Sequence, residues 1–304
     1  MNEVIIMINF FLPITDDETA KLAIAVSILL DRHSDNLRMG ESRVGAVYGA
    51  FPKSIWNGGR SLNFGQSKMS YEEIEKRVKL FNSLSIACRL TFTNTLLKSE
   101  HLNDEYCNTC LDILDNGFGN SIITASSLLE DYIEETHPKL SLVSSITKGN
   151  DFKTFKENIE KQRYSMVVCY PKNNVLDYIE TMPLERRGEI ELLINSGCFY
   201  CRNATKHYEC DSYNNLHQRF DKHIPCYRRA TNYSEEADKN SYEIADRMNF
   251  NYTRFKDLGI TNFKIQGRCA PQNILKLNIL ENIFQCVTDT LIEELDSIYE
   301  SIQI

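Results

Sequence analysis

No stretch of this chain is apolar for long enough to cross a membrane. The longest run, Val4 to Ile14, is broken by Asn9 and Pro13 and falls short of the ~20 residues a spanning helix needs. It is not a signal peptide either, because Met1-Asn2-Glu3 is acidic and no small-residue cleavage site follows. A buried first strand is the expectation. Basic residues are in deficit, 34 Lys and Arg against 42 Asp and Glu for a net charge of −8, which excludes a surface built to neutralise duplex DNA. The glycine patterns of the common nucleotide sites, G-x-G-x-x-G and G-x-x-x-x-G-K-[ST], are missing. So are H-E-x-x-H and any elbow-borne Ser-His-Asp or Cys-His-Asn order, so no hydrolytic nucleophile is evident. Low-complexity linkers and 20–50-residue repeats are absent too.

What is present is ordinary globular composition, 42% hydrophobic and 25% charged over 304 residues, sufficient for one large core. Runs of β-branched and apolar residues alternate with segments of helical period, the signature of parallel βα units. Eight strands are expected to begin near Ile5, Val44, Arg89, Ser121, Leu140, Met166, Glu189 and Asn262. The predicted fold is therefore α/β, a TIM-barrel-like (β/α)8 domain spanning residues 1–304, with a cysteine-rich insertion at 196–232 after strand seven. An open doubly wound sheet is the alternative. Ser70 and Glu73 have capping-box spacing, with Ile74, Val78 and Phe81 following on one helical face. Leu277, Leu280, Phe284, Val287, Leu291 and Leu295 are spaced as one stripe of a single last helix.

In a barrel the loops after the strands build the active face. That places Asn57 to Arg60, Thr93, Asn94, Lys148, Cys169, Asn195, Cys198, Arg268 and Cys269 around one mouth. Arg60, Lys148 and Arg268 are the expected substrate-binding residues, since guanidinium and ammonium groups suit carboxylate or phosphate; salt bridges at strand ends are the plainer reading. The Gly58-Gly59 amides with Arg60 would cradle an anion, or Asn57-Gly58 would form a tight turn with Trp56 plugging the barrel end.

Ten cysteines without a secretory signal point to reduced thiols and metal ligands, and to the cytosol. Cys107 and Cys110 continue an apolar helical stripe with Leu111 and Leu114, and Cys88 and Cys286 sit in apolar context, so these four are expected to be structural. Cys198, Cys201, Cys210 and Cys226 differ. They fall within 29 residues that lack an amphipathic period, and four thiolates around zinc or an iron-sulfur centre would order such a loop. His207, His217 and His223 lie in the same stretch. Residues 202–229 carry six Lys or Arg against three Asp or Glu, a local excess able to receive an anionic small molecule or an RNA phosphate, or simply to be solvated.

The segments Asn195-Ser-Gly-Cys-Phe-Tyr-Cys201, His207-Tyr208 and Gly259-Ile-Thr-Asn-Phe-Lys-Ile-Gln-Gly-Arg268 together resemble the peptidase U32, or collagenase-like, family. The likeness is clearest from Glu189 to Arg268; Val44 to Arg60 adds shorter matches. It implies a barrel carrying a 4Fe-4S cluster and oxygen-independent redox chemistry, such as hydroxylation, on a small or RNA-borne substrate, with a protein partner in some relatives. By position Cys198, Cys201 and Cys226 match the cluster cysteines, the fourth being Cys210 or Cys269. Only two residues separate the first pair, closer than the family's usual spacing. Structural zinc in a non-catalytic binding or accessory barrel, and peptidase activity, stand as alternatives.

Overall fold

Eight parallel strands close into a ring in the computed structural model, which describes residues 6–59, 66–149, 151–196, 204–219, 222, 224, 252–267 and 271–304. The strands are β1 (Ile8–Pro13), β2 (Ser42–Gly49), β3 (Ala87–Phe92), β4 (Ser121–Thr124), β5 (Ser141–Ser144), β6 (Met166–Cys169), β7 (Ile190–Ile194) and β8 (Asn262–Ile265). Each pairs with its sequence neighbours, and β8 returns to β1. The open-sheet alternative is thereby excluded. Helices α1 (Asp17–Arg32), α2 (Tyr71–Ser83), α3 (Glu105–Leu114), α4 (Ser127–Thr136), α5 (Phe152–Glu160) and α6 (Asn173–Thr181) each follow the strand of the same number. Beyond β7 come α7 (Ala204–His217) and the short α8 (Tyr252–Asp257), then α9 (Gln272–Ile283) and α10 (Asp289–Ser301) after β8. No helix among the described residues is long and apolar enough to cross a membrane.

The helices form where local chemistry allows them to start. In α2, Ser70 Oγ accepts from the Glu73 amide and Glu73 Oε2 accepts from the Ser70 amide, a reciprocal cap. Ile74, Val78 and Phe81 are its buried residues. In α3 the buried face is Tyr106, Cys107, Cys110, Leu111 and Leu114, as the stripe requires. The expected single last helix is two helices instead. α9 ends at Ile283, and 284–288 turn the chain back, so that Arg38 can donate to the carbonyls of Glu281 and Phe284. Leu277 is exposed rather than part of the stripe, and Cys286 is exposed on the turn, not structural.

Alternate residues of every strand point inward and outward. The outward set, including Phe10, Val47, Leu90, Ile122, Leu142, Val167, Leu192 and Phe263, packs under the helices as the main core. Cys169 belongs to that outward set, so it is buried beneath the helices and does not reach the mouth. Trp56 is likewise an outer-layer residue, edge-on to Phe92 and Tyr132 and donating to the His101 carbonyl. It does not plug the barrel.

The inward set stacks in layers of four from alternate strands, because the register climbs one residue at each step round the ring. Phe11, Arg89, Val143 and Glu191 form one layer. Tyr48, Ile123, Val168 and Lys264 form the next towards the strands' C-terminal ends, followed by Pro13, Thr91, Ser145 and Leu193. Gly45 makes the β1–β2 pairing possible: it is the extra residue at a register shift, and a Cβ there would lie 2.9 Å from Asn9 Cβ.

Candidate functional site

Among the described residues, three charges sit inside the barrel. Arg89 Nη1 lies 2.5 Å from Glu191 Oε2, spanning the bore from β3 to β7. Lys264 Nζ, one layer higher, is 3.2 Å from Glu191 Oε1. Glu191 is fully buried and Lys264 is 7% exposed. A carboxylate cannot stay ionised in such a place unless paired, and here two cations face it. Arg89 also stacks on the Phe11 ring at 3.8 Å, and Lys264 Nζ lies 3.9 Å from the centre of the Tyr48 ring. The Tyr48 hydroxyl donates to the Ile265 carbonyl, fixing that ring.

Above this layer the bore turns polar. Thr91 Oγ1 is 3.5 Å from Asn57 Oδ1, and Ser196 Oγ is 3.5 Å from the Tyr170 hydroxyl. Asn195, just past β7, holds a left-handed backbone (φ 57°), a conformation asparagine tolerates better than most residues. Its side chain bonds the Gln266 backbone twice, Nδ2 to the carbonyl at 2.9 Å and Oδ1 from the amide at 2.7 Å. The side chain thus adds one rung to the β7–β8 ladder at the rim.

The helix after β7 does not pack outside the barrel. α7 reaches the loops beyond β2 and β3, on the opposite side of the ring: the Ser212 carbonyl accepts from Asn94 Nδ2 at 3.0 Å, Ser212 Oγ from the Thr95 amide at 3.3 Å, and Asn215 Nδ2 donates to the Gly59 carbonyl at 2.8 Å. Fourteen helical residues span ~21 Å, enough to cross the mouth. The outer position between β7 and β8 is taken by α8, whose Phe255 packs on Phe263. Because α7 buries Ser212, Asn214 and Asn215 instead of leucines, it shows no apolar period, and the expectation of an irregular insertion at this point is corrected to a polar-faced helix.

The Asn57–Gly59 turn is tight. A Cβ on Gly58 would lie 2.0 Å from the Thr93 carbonyl oxygen, and the Gly59 amide donates to Asn57 Oδ1 at 3.0 Å. That amide is spent within the turn rather than held out for an anion.

Lys148 follows β5 as expected, but its ammonium lies between barrel and helices. Nζ is 2.6 Å from the buried Glu130 Oε1 and 2.6 Å from the Tyr164 hydroxyl. Burial holds its pKa below the ordinary value against the pull of Glu130. The strand-end salt bridge is what the structure displays. Arg60, Arg268, Cys198, Cys201, Cys226, Cys269 and His223 lie outside the described residues. Cys210 is on α7, two residues from Ser212 and so on the opposite face. Its sulfur has Asn214 Nδ2 at 3.9 Å. Burial and the neighbouring Asp211 push its thiol pKa up, while a backbone hydrogen bond with Ile224 pulls it down. The His217 ring stacks on Tyr213. Among the described residues no group of three or more His, Cys, Asp or Glu could hold a metal ion.

Arg89, Glu191 and Lys264 were not among the sequence candidates. Each is a lone charge in an apolar strand, Ala-Cys-Arg-Leu-Thr-Phe, Ile-Glu-Leu-Leu-Ile and Asn-Phe-Lys-Ile, and that was the available signal, because such residues are almost never fully buried unless paired.

No family model matches the chain and no curated protein matches it. Among solved structures, the U32 peptidase Mk0906 is similar with a TM-score of 0.47 and 11% identity, covering 89% of this chain and 96% of that one. The Bacillus cereus spore cortex-lytic enzyme SleL is similar with a TM-score of 0.42 and 13% identity, covering 92% of this chain and 75% of that one. At such values the barrel assignment rests on this chain's own strand pairing.

Proposed function

We propose that the chain is a U32-like barrel enzyme that binds a small or RNA-borne anionic substrate at the C-terminal mouth, beside a cysteine-held 4Fe-4S centre, and carries out oxygen-independent redox chemistry such as hydroxylation there. The observation that carries this reading is the course of α7. Ser212 and Asn215 of this helix, which also carries Cys210, bond Asn94 and Gly59 across the ring from β7, above a bore lined by Lys264, Thr91 and Tyr170.

The donor chemistry of the segment fits such a centre. Cys210 sulfur is approached by the Ile224 backbone N–H and by Asn214 Nδ2, donors of the kind that hydrogen-bond cluster sulfurs, against burial and Asp211, which raise its thiol pKa. Ile224, which supplies that backbone contact, stands two residues before Cys226 in the sequence. Ser196 and Ala204, at the rim and at the start of α7, flank Cys198 and Cys201. Cys198, Cys201, Cys210 and Cys226 would hold the cluster, with Cys269 as the other candidate for fourth ligand. When bound it would supply one-electron transfer. The chain's own residues orient the substrate's anionic group and keep bulk water from the bore.

Anaerobic purification with iron, acid-labile sulfide and zinc analysis tests the proposal. Brown protein containing iron and sulfide, with both lost in Cys198→Ser and Cys226→Ser, is expected. Colourless protein with stoichiometric zinc would replace it with an accessory, zinc-stabilised barrel. Peptide turnover that survives chelation and cysteine substitution would replace it with a hydrolase.

A further inference from the structure

We infer that α7 is a lid. It is latched over the mouth by Gly59, Asn94 and Thr95, and it lets go of them while the barrel beneath stays folded, opening the bore to substrate. The inference rests on the reading of the mouth as the active site and deepens it by naming what controls entry.

The first observation is what α7 lacks. Every other described α-helix sends apolar side chains into the main core, among them Leu22, Ile74, Leu111, Leu129, Phe155 and Leu176. Among the described residues, no apolar side chain of α7 joins either hydrophobic core. Its buried residues are Ala204, Ser212, Asn214 and Asn215, and the ties that Ser212 and Asn215 make to the barrel are hydrogen bonds.

That composition decides how the helix comes away. Releasing an apolar face exposes it to water, which is what keeps a packed helix in place. Releasing serine and asparagine exchanges protein hydrogen bonds for hydrogen bonds to water, at a small net cost for each. Two acceptors on this helix and just past its end, Asn214 Oδ1 and Gln218 Oε1, are buried without a hydrogen-bond partner among the described residues, so hydration favours release there. The receiving side of the latch does not depend on α7. Asn94 still donates to the Ile55 carbonyl and accepts from the Leu96 amide, and Gly59 is held by Asn57. The strands of the barrel are paired all round the ring without it. Lids of enzymes are drawn from segments that open at low cost on a rigid frame, and α7 on this barrel is built in that way.

Timed labelling of the anaerobically purified full chain carrying Thr91→Cys with methyl methanethiosulfonate, read by peptide mass spectrometry, tests the lid. Thr91 lines the bore and is 3% exposed. Native Cys110 and Cys169, buried under the outer helices, report unfolding of the barrel in the same molecule. The introduced thiol is expected to react ~100-fold faster than either, or more. Adding Asn215→Ala, which removes the bond to Gly59, is expected to speed it a further ~5- to 30-fold and to leave Cys110 and Cys169 as slow as before. Labelling no faster than that of Cys110 overturns the inference, because α7 then leaves only when the barrel unfolds. Fast labelling that Asn215→Ala does not change overturns it too, because the bore is then open with α7 in place. Hydrogen exchange of the unsubstituted chain reads the same motion without an introduced thiol. Amides of residues 208–217 are expected to exchange faster than those of α2 and to respond less to low urea, since little surface is exposed on release; equal exchange in the two helices overturns the inference. Iron and sulfide are assayed on the same batches. Gating that fails with iron and sulfide present defeats the lid alone, and gating that holds in protein without iron defeats the metal centre alone.

Discussion

Asn94 Nδ2 donates to the Ser212 carbonyl at 3.0 Å and to the Ile55 carbonyl at 2.8 Å, tying α7 and the loop after β2 to the end of β3 through one side chain. Asn94 is completely buried. Replacing it with Ala strands two carbonyls, a loss of ~2–3 kcal/mol. The expected signature is faster hydrogen exchange confined to residues 204–217 and 54–58, together with a lower melting temperature.

The Arg89–Glu191 pair carries a larger penalty for half-removal. Arg89→Met leaves an ionised carboxylate in the bore with Lys264 as its remaining described cation, and a loss of ~3–5 kcal/mol is expected in urea denaturation. Arg89→Met combined with Glu191→Leu is expected to recover part of it, since an apolar pair removes the desolvation cost that the lone carboxylate suffers.

Asn195→Ala removes both side-chain bonds to Gln266 and places a β-carbon residue without a polar side chain in a left-handed conformation. The combined cost is ~2–3 kcal/mol. Asn195→Asp keeps the acceptor but turns the donor into an oxygen facing the Gln266 carbonyl, and is expected to be at least as damaging. Chemical denaturation of the three proteins checks the order.

Thiol labelling should divide the cysteines by place. Burial pushes Cys88 and Cys110 up to about 12, and Cys107 and Cys169 are also raised by burial. These four peptides are expected to stay unmodified by iodoacetamide at neutral pH until denaturant is added. Cys286, exposed on the turn between α9 and α10, is expected to alkylate in the native protein, as peptide mass spectrometry would show.

At the surface, hydrogen bonds from Arg32 and His33 hold the Glu294 carboxyl below its ordinary 4.5. A depressed carboxylate stabilises above its unfolded value and loses that contribution as pH falls through the folded value. Glu294→Gln is expected to cost no more than ~1 kcal/mol at pH 6, where solvent screens the pair. The gap from wild type should narrow below pH 4.5 and vanish in stronger acid, which urea denaturation at several pH values would show.

The barrel was legible because strand and helix periods alternate cleanly: Ser121, Met166 and Asn262 begin strands at the residues read from the sequence, and the Ser70 cap starts its helix. Less of the site was legible, for two reasons. A helix that buries serine and asparagine, like α7, has no hydrophobic signature to announce it. The side of a strand that faces the bore also depends on register, so Cys169 and Lys148 count as mouth residues in a linear reading, while parity and a buried partner at Glu130 turn them elsewhere. The break at 284–288 escaped because Phe284 and Val287 keep helical spacing through a turn.

Asn9 Nδ2 donates to Asn262 Oδ1 at 3.0 Å across 253 residues of sequence. The ring therefore cannot shut until β8 has left the ribosome, and until then β1 and β7 present unpaired edges to whatever else the nascent chain meets. Such long-range closure is slow, and open edges invite pairing with other chains. Yield in a heterologous host will accordingly depend on how well those two strands are shielded during synthesis.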